Sequence, residues 1–252
     1  MSDRRSLSFV SLVGIPEVAP GADLAEMHLA AAEQTGLELT GGVLVICQKI
    51  VSKAEGRLVN LPEVEPTAEA LRIAEEHEKD PRHIEVILRE TRRIVRRSHG
   101  ILICETHHGF VCANAGVDLS NTPADEMAIL LPIDPDASAQ KLRNELIERG
   151  AGPLAIVITD TFGRPWREGL VDIAIGSAGI APIEDLRGQG DRRGRELVVT
   201  TPATVDALAA GAGLLMGKAA GTPSVWVTGI PLIGDGSVAE DLVRDPSTDL
   251  FR

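Results

Sequence analysis

The chain has 252 residues, 44% of them hydrophobic, enough for a sizeable core in one large domain or two small ones. Lys and Arg number 25 against 37 Asp and Glu, a net charge of −12, which disfavours non-specific binding to nucleic acid or to an anionic membrane. A polyanionic ligand would therefore need a local answer: clustered Lys and Arg, oriented backbone N–H groups or a divalent metal.

In chain order, "SFVSLVGIPEVAPGADL" opens on a short strand-like run and turns at Gly14 and Pro16. A helix follows, with Asp23 as N-cap, a helical period in Leu24, Met27, Ala31 and Ala32, and Gly36 as its stop. "GGVLVICQKIVSK" (41–53) is rich in β-branched residues and bounded by Gly, which predicts one buried strand with Lys49 and Lys53 at its far end. Residues 67–78 and 83–97 read as two helices split at "KDPR", where Asp80 caps Pro81. Arg92, Arg93, Arg96 and Arg97 fall in the second of them. "GILICETHHGFVCANAG" predicts a hairpin around "HHG". A helix capped by Asp134 or Asp136 carries Leu142 and Leu146 on one face and stops at Gly150. The strands "PLAIVIT" and "VDIAIGSAG", a small-residue helix over 203–217 and the strand "SVWVTGI" complete the order.

Helices and strands are mixed without strict βαβ alternation, so the expected class is α+β or mixed α/β. Cys47, Cys104 and Cys112 lie in apolar surroundings without C-x-x-C spacing, as reduced core thiols of a cytoplasmic protein would. No apolar stretch approaches the ~20 residues of a membrane helix, and "MSDRRSLSFV" lacks the apolar region of a signal peptide. A soluble protein is expected.

Three segments bring chemistry-bearing residues together. In "VITDTFGRPWREG" (157–169), Asp160 and Thr161 end an apolar run, where α/β proteins often hold ligands. A carboxylate and a hydroxyl are hard oxygen donors suited to Mg²⁺ or Mn²⁺, and Arg164 and Arg167 follow closely enough to meet the same anion. The bland alternative is a capping Asp and two solvated Arg. In "CANAGVDLSNTP" (112–123), Asn114, Asp118, Ser120 and Asn121 crowd a Gly-containing turn that can offer a carboxylate to a metal and an amide to a nucleotide, although taken alone an Asx-rich surface turn is the better reading. In "QKIVSKAEG", Lys49 and Lys53 stand four residues apart, on one face of a helix or of a strand, where they meet phosphate or run into solvent.

"GAGLLMGKAAGTP" is not a P-loop: the glycine spacing is wrong, Lys218 is followed by Ala219, and the helix precedes the glycines. His107 and His108 occupy a hairpin turn with no third ligand at zinc spacing, and no dinucleotide fingerprint opens a helix. These residues point to a metal–nucleotide or metal–phosphate enzyme with neither a Rossmann nor a P-loop fold.

The ordered series "GIPE", "QKIVSKAEGR", "KDPRHIEVIL", "CANAGVDLSN", "LLPIDPDASA", "VITDTFGRPWREG" and "MGKAAGTP" closely resembles the coenzyme F-420-0:L-glutamate ligase family, from about Gly14 to near Val227. The resemblance implies a homodimer of two-part α+β architecture. It implies GTP-driven joining of L-glutamate to the lactyl carboxylate of the deazaflavin precursor F-420-0, with further γ-linked glutamates possible. It implies Mg²⁺ or Mn²⁺, with K⁺ as activator. By that resemblance Asp118, Asp160 and Thr161 match metal ligands and Asn121 a nucleotide contact. Gly14, Ile15, Pro16, Glu17, Gln48 and Lys53 match further GTP contacts. Met216, Gly217, Lys218, Ala219, Ala220, Gly221, Thr222 and Pro223 match a late nucleotide-binding loop.

One departure stands out, since members can carry an acid or amide after "MG" that joins the metal site, and here Lys218 stands there. Either one metal lacks a ligand, or the lysine neutralises phosphate directly. The expected chemistry is an acyl phosphate formed from GTP, with Lys53 and one of Arg164 or Arg167 stabilising the transferred group. The rivals are a nucleotide phosphohydrolase, a non-catalytic nucleotide-binding regulator and a related ligase with another acceptor.

Overall fold

Residues 6–217 and 221–249 are described by a computed structural model. The first part runs β1 (Ser8–Ser11), α1 (Leu24–Thr35), β2 (Gly42–Cys47), α2 (Gln48–Ala54), β3 (Leu58–Asn60), α3 (Ala68–His77) and α4 (Pro81–Arg89). Then come β4 (Thr91–Ser98), β5 (Ile101–Thr106), β6 (Val111–Ala113), β7 (Met127–Ile129) and α5 (Pro135–Glu148). The chain closes with β8 (Leu154–Arg164), β9 (Arg167–Ala178), α6 (Thr204–Met216), β10 (Ser224–Thr228) and α7 (Val238–Asp241). The architecture is α+β, and among the described residues no helix is long and apolar enough to cross a membrane.

The two most continuous apolar runs pair with each other. β2 and β8 lie parallel at the centre of a five-stranded sheet ordered β1-β10-β2-β8-β9, whose other pairings are antiparallel. Val43–Ile46 and Leu154–Ile158 are fully buried, as strands covered on both faces must be. α5 packs on β8 and β9, and α6 on β1, β10, β8 and β9. A second apolar cluster gathers Leu61, Ile73, Ile84, Ile87, Leu102 and Leu130 beside the three-stranded sheet β4-β5-β6.

The predicted caps are present. Asp23 accepts from Glu26 N at 3.0 Å, Asp80 from Arg82 N at 2.8 Å, and Gly36 closes α1 with φ 68°. Asp134 rather than Asp136 caps α5. Asp136 instead accepts from Ser177 N, Val238 N and Ala239 N, tying the start of α5 to β9 and α7.

Three expectations are corrected. The strand over 41–53 ends at Cys47, and Lys49 and Lys53 stand one turn apart on α2. β-branched Ile50 and Val51 look strand-like, but α2 is buried on most of its circumference and both pack into the core, so tertiary packing overrides propensity. The helix over 83–97 stops at Arg89, and Arg92, Arg93, Arg96 and Arg97 lie on β4. There the His99–Gly100 turn, positive in φ at both residues, favours a hairpin with β5. Finally, Asp160 does not end its strand: β8 runs on to Arg164, and β9 pairs back from Arg167 across a Pro165–Trp166 turn.

A candidate metal and nucleotide cavity

The parallel pairing of β2 with β8 stops at Cys47 opposite Thr159. Just beyond it β2 turns into α2 while β8 continues, and a cavity of about 680 Å³ opens in the gap. Its walls come from Ile15–Val18, the inner face of α2, the loop carrying Asp118 and Asn121, both strands of the β8–β9 hairpin, the end of α6 and residues 221–223. The site thus lies at the carboxyl ends of the two parallel strands, where α/β sheets characteristically bind ligands.

Ion pairs organise its charged end. Lys49 Nζ stands 2.7 Å from Asp118 Oδ2 and donates to Ser120 Oγ at 2.6 Å. Asp118 Oδ1 accepts from Ser120 N at 2.7 Å, and Asp118 exchanges backbone hydrogen bonds with Ile129. Burial pushes the Asp118 carboxyl up, but the Lys49 and Ser120 hydrogen bonds outweigh it and hold the pKa below the ordinary value. Lys53, 5% exposed, pairs its ammonium with Glu17 of the opposing loop.

Asp160 is the perturbed group. Burial pushes its pKa up to about 6, opposed by the Thr161 N–H; the Asp118 and Asp172 charges add to the rise and Lys49 relieves it. An extra positive charge in the cavity would favour its ionised form. Thr161 Oγ1 donates to Asp172 Oδ1 at 2.5 Å. Among the described residues, no three His, Cys, Asp or Glu side chains gather as a metal cage. Mg²⁺ and Mn²⁺ are commonly held by one or two carboxylates together with substrate phosphates. Burial raises Cys47 to about 11 and Cys112 to about 12, so the two thiols facing the cavity stay protonated and unsuited to nucleophilic attack.

Most predicted site residues converge here. Asp118, Asp160, Thr161, Asn121, Lys53, Ile15, Pro16, Glu17, Met216, Gly217, Gly221, Thr222 and Pro223 all line the cavity. Lys218, Ala219 and Ala220 lie outside the described residues. Gly14 and Gln48 do not line it. Gly14 adopts φ 84°, where a Cβ would collide with the Gln34 amide, and it turns the chain into Ile15–Glu17. Gln48 is fully buried under the first turn of α2, accepting from Ser52 Oγ at 2.7 Å.

Arg164 and Arg167 are not brought to the cavity. The Arg164 guanidinium folds onto the Glu168 carbonyl at 2.5 Å, and Arg167 is exposed beside Trp166, itself 81% exposed at the hairpin tip. Asp172 is the wall residue that sequence reasoning missed. Its signal was an acid breaking the apolar run "GLVDIAIG", but its partner was hidden by a bulge.

The profile of the family described as F420-0:Gamma-glutamyl ligase matches residues 13–229. The chain is 45% identical over 251 residues to the coenzyme F420:L-glutamate ligase of Methanothermobacter thermautotrophicus, covering 98% of this chain and 99% of that one. It is 47% identical over 241 residues to the protein of that name from Methanopyrus kandleri, covering 94% of each. To the one from Methanocaldococcus jannaschii it is 39% identical over 213 residues, covering 84% of this chain and 85% of the other. Spanning these ligases almost end to end, the chain belongs to the F420-0:gamma-glutamyl ligase family.

Proposed function

We propose that this protein joins L-glutamate to the deazaflavin precursor F420-0, and can add further γ-linked glutamates, at the expense of GTP. One observation carries the reading: in a chain that spans relatives named coenzyme F420:L-glutamate ligase, two lysines and three aspartates face a single cavity. The proposal includes Mg²⁺ or Mn²⁺, K⁺ as activator, a homodimer and a cytoplasmic location, all on the family resemblance.

The residues present fit a divalent cation. Asp160 is a buried carboxylate whose ionisation is opposed by burial and by two neighbouring acids. Asp118, Asp160 and the Thr161 hydroxyl are hard oxygen donors and would hold the ion. Bound there, it would neutralise charge on the phosphates of the nucleotide.

The chain's own groups do the rest. The acceptor carboxylate is already ionised and needs no base. Its oxygen attacks the γ-phosphorus of GTP, the bond to the β-phosphate oxygen breaks, and GDP leaves an acyl phosphate behind. The glutamate amine, having lost its proton, then attacks the acyl carbon, and phosphate departs as the amide forms. Phosphoryl transfer demands mainly positioning and charge neutralisation. Lys53 and Lys49, each held in the cavity by a carboxylate, are placed to exchange that partner for phosphate oxygens. Arg164 and Arg167 do not line the cavity, so this reading assigns the role to the two lysines.

Phosphate release from GTP with Mn²⁺ tests the reading when L-glutamate and F420-0 are added singly and together. Release is expected only with both. Release without glutamate would replace the ligase by a nucleotide phosphohydrolase.

A further inference from the structure

The reaction outlined above uses Asp172 for nothing, yet this carboxylate is built into the cavity wall from two sides. Thr161 and Asp172 are direct partners across β8 and β9, so their side chains project to the same face of the hairpin. There the hydroxyl donates to Asp172 Oδ1 at 2.5 Å. On the other side stands Gly213, inside α6, where an added Cβ would overlap Asp172 Oδ2. No positive φ requires glycine at that position. Glycine within a helix is unfavourable relative to alanine, so the room it leaves for the carboxylate is the physical reason for its presence.

We infer that Asp172 is a positioning residue for the cation-binding end of the cavity, taking the proton of the Thr161 hydroxyl so that the Thr161 oxygen faces the cavity as an acceptor, with Gly213 leaving the space. A threonine hydroxyl has one proton and two lone pairs. With the proton committed to Asp172, lone pairs remain, which is what a hard divalent cation takes up. The inference rests on the cation reading of Asp118, Asp160 and Thr161.

The test is Mn²⁺ binding followed by electron paramagnetic resonance, with a GTP analogue non-hydrolysable at the β–γ bridge, so that no turnover is needed. Asp172→Ala is expected to weaken Mn²⁺ binding about 10–100-fold, the usual scale for losing a partner that orients a metal ligand. Asp172→Asn, which keeps an acceptor oxygen, should recover most of that loss. Gly213→Ala should weaken Mn²⁺ binding although it favours the helix, leaving the thermal midpoint at or above that of the unaltered protein. The double variant Thr161→Val with Asp172→Ala should bind no more weakly than Thr161→Val alone, because the two act as one unit.

Unaltered Mn²⁺ affinity in Asp172→Ala, or fully additive losses in the double variant, would overturn the inference. Should Asp172→Ala fail to fold, unaltered affinity in Gly213→Ala overturns it equally. Glutamyl transfer is scored separately. No product, with Mn²⁺ affinity still dependent on Asp172, would remove the ligase reading and leave the positioning role. Product formation with affinity indifferent to Asp172 would do the reverse, and absence of Mn²⁺ binding by the unaltered protein would overturn both.

Discussion

The two halves of β8 are one continuous strand with opposite duties. Leu154–Ile158 are fully buried between β2 and β9, and every side chain there is apolar. Beyond Thr159 the parallel neighbour has ended, and the strand carries Asp160 and Thr161 into a cavity. The first half holds the sheet together through burial, worth roughly 1.5–3 kcal/mol for each large side chain. The second half holds a carboxylate whose ionisation burial opposes. The difference lies in where β2 stops, since turning β2 into α2 after Cys47 is what frees the next residues of β8 for a ligand.

That contrast can be broken most forcefully at Ile156. Ile156→Ala should lower the unfolding free energy by about 2–5 kcal/mol, through lost transfer energy and the cavity left behind. Denaturant melts will show it, with any remaining folded fraction still binding nucleotide. On the other half, Asp160→Ala should reduce glutamyl transfer by about 10²–10³-fold, the scale of one lost electrostatic stabiliser, with a metal-free melting point at neutral pH no lower than that of the unaltered protein, because the buried charge is gone. Near-normal turnover at saturating Mg²⁺ would take Asp160 out of the site.

A third expectation concerns pH. With its folded pKa raised from 3.8 to about 6, metal-free Asp160 is most compatible with folding when protonated. The native state binds more protons than the unfolded one between those values, so this contribution is fully present below about pH 4 and is lost as pH rises through about 6. The full loss is on the order of 3 kcal/mol. Thermal melts of Asp160→Asn over that range should therefore fall less steeply than those of the unaltered protein; parallel curves would contradict the burial argument. The smallest effect is expected at the hairpin tip, where Arg164→Ala removes a half-buried guanidinium bonded to its own hairpin's carbonyls and should cost about 1 kcal/mol or less of stability and change turnover little. A large loss of turnover would return Arg164 to the phosphate.

What was legible in the sequence was local chemistry. Asp23, Asp80 and Asp134 announce their helices because a capping side chain bonds within three residues of itself. The segments that line the cavity were legible as polar residues breaking apolar runs. Less legible was anything fixed by distant packing. "QKIVSKA" and "TRRIVRR" each mix β-branched and long polar residues, and their neighbours in space decide which becomes helix and which strand. On β4 Arg92 and Arg93 gain Glu105 across the sheet, with Arg93 at 2.8 Å.

Arg164 and Arg167 show the limit of reasoning from chain proximity. They lie within seven residues of Asp160, yet the extended hairpin carries them away from the cavity. Asp172 shows the converse. Counting back from the Arg164–Arg167 pair in regular register sets Thr161 opposite Leu170, and only the irregularity at Gly163 and Arg164 brings Asp172 there instead.

The most direct test of the central claim is the mass of the deazaflavin after incubation with GTP, Mn²⁺ and L-glutamate, measured alongside the GDP formed. The account predicts a product heavier by one or more glutamyl residues, with one GDP for each residue added. GDP accumulating over a deazaflavin of unchanged mass would contradict it.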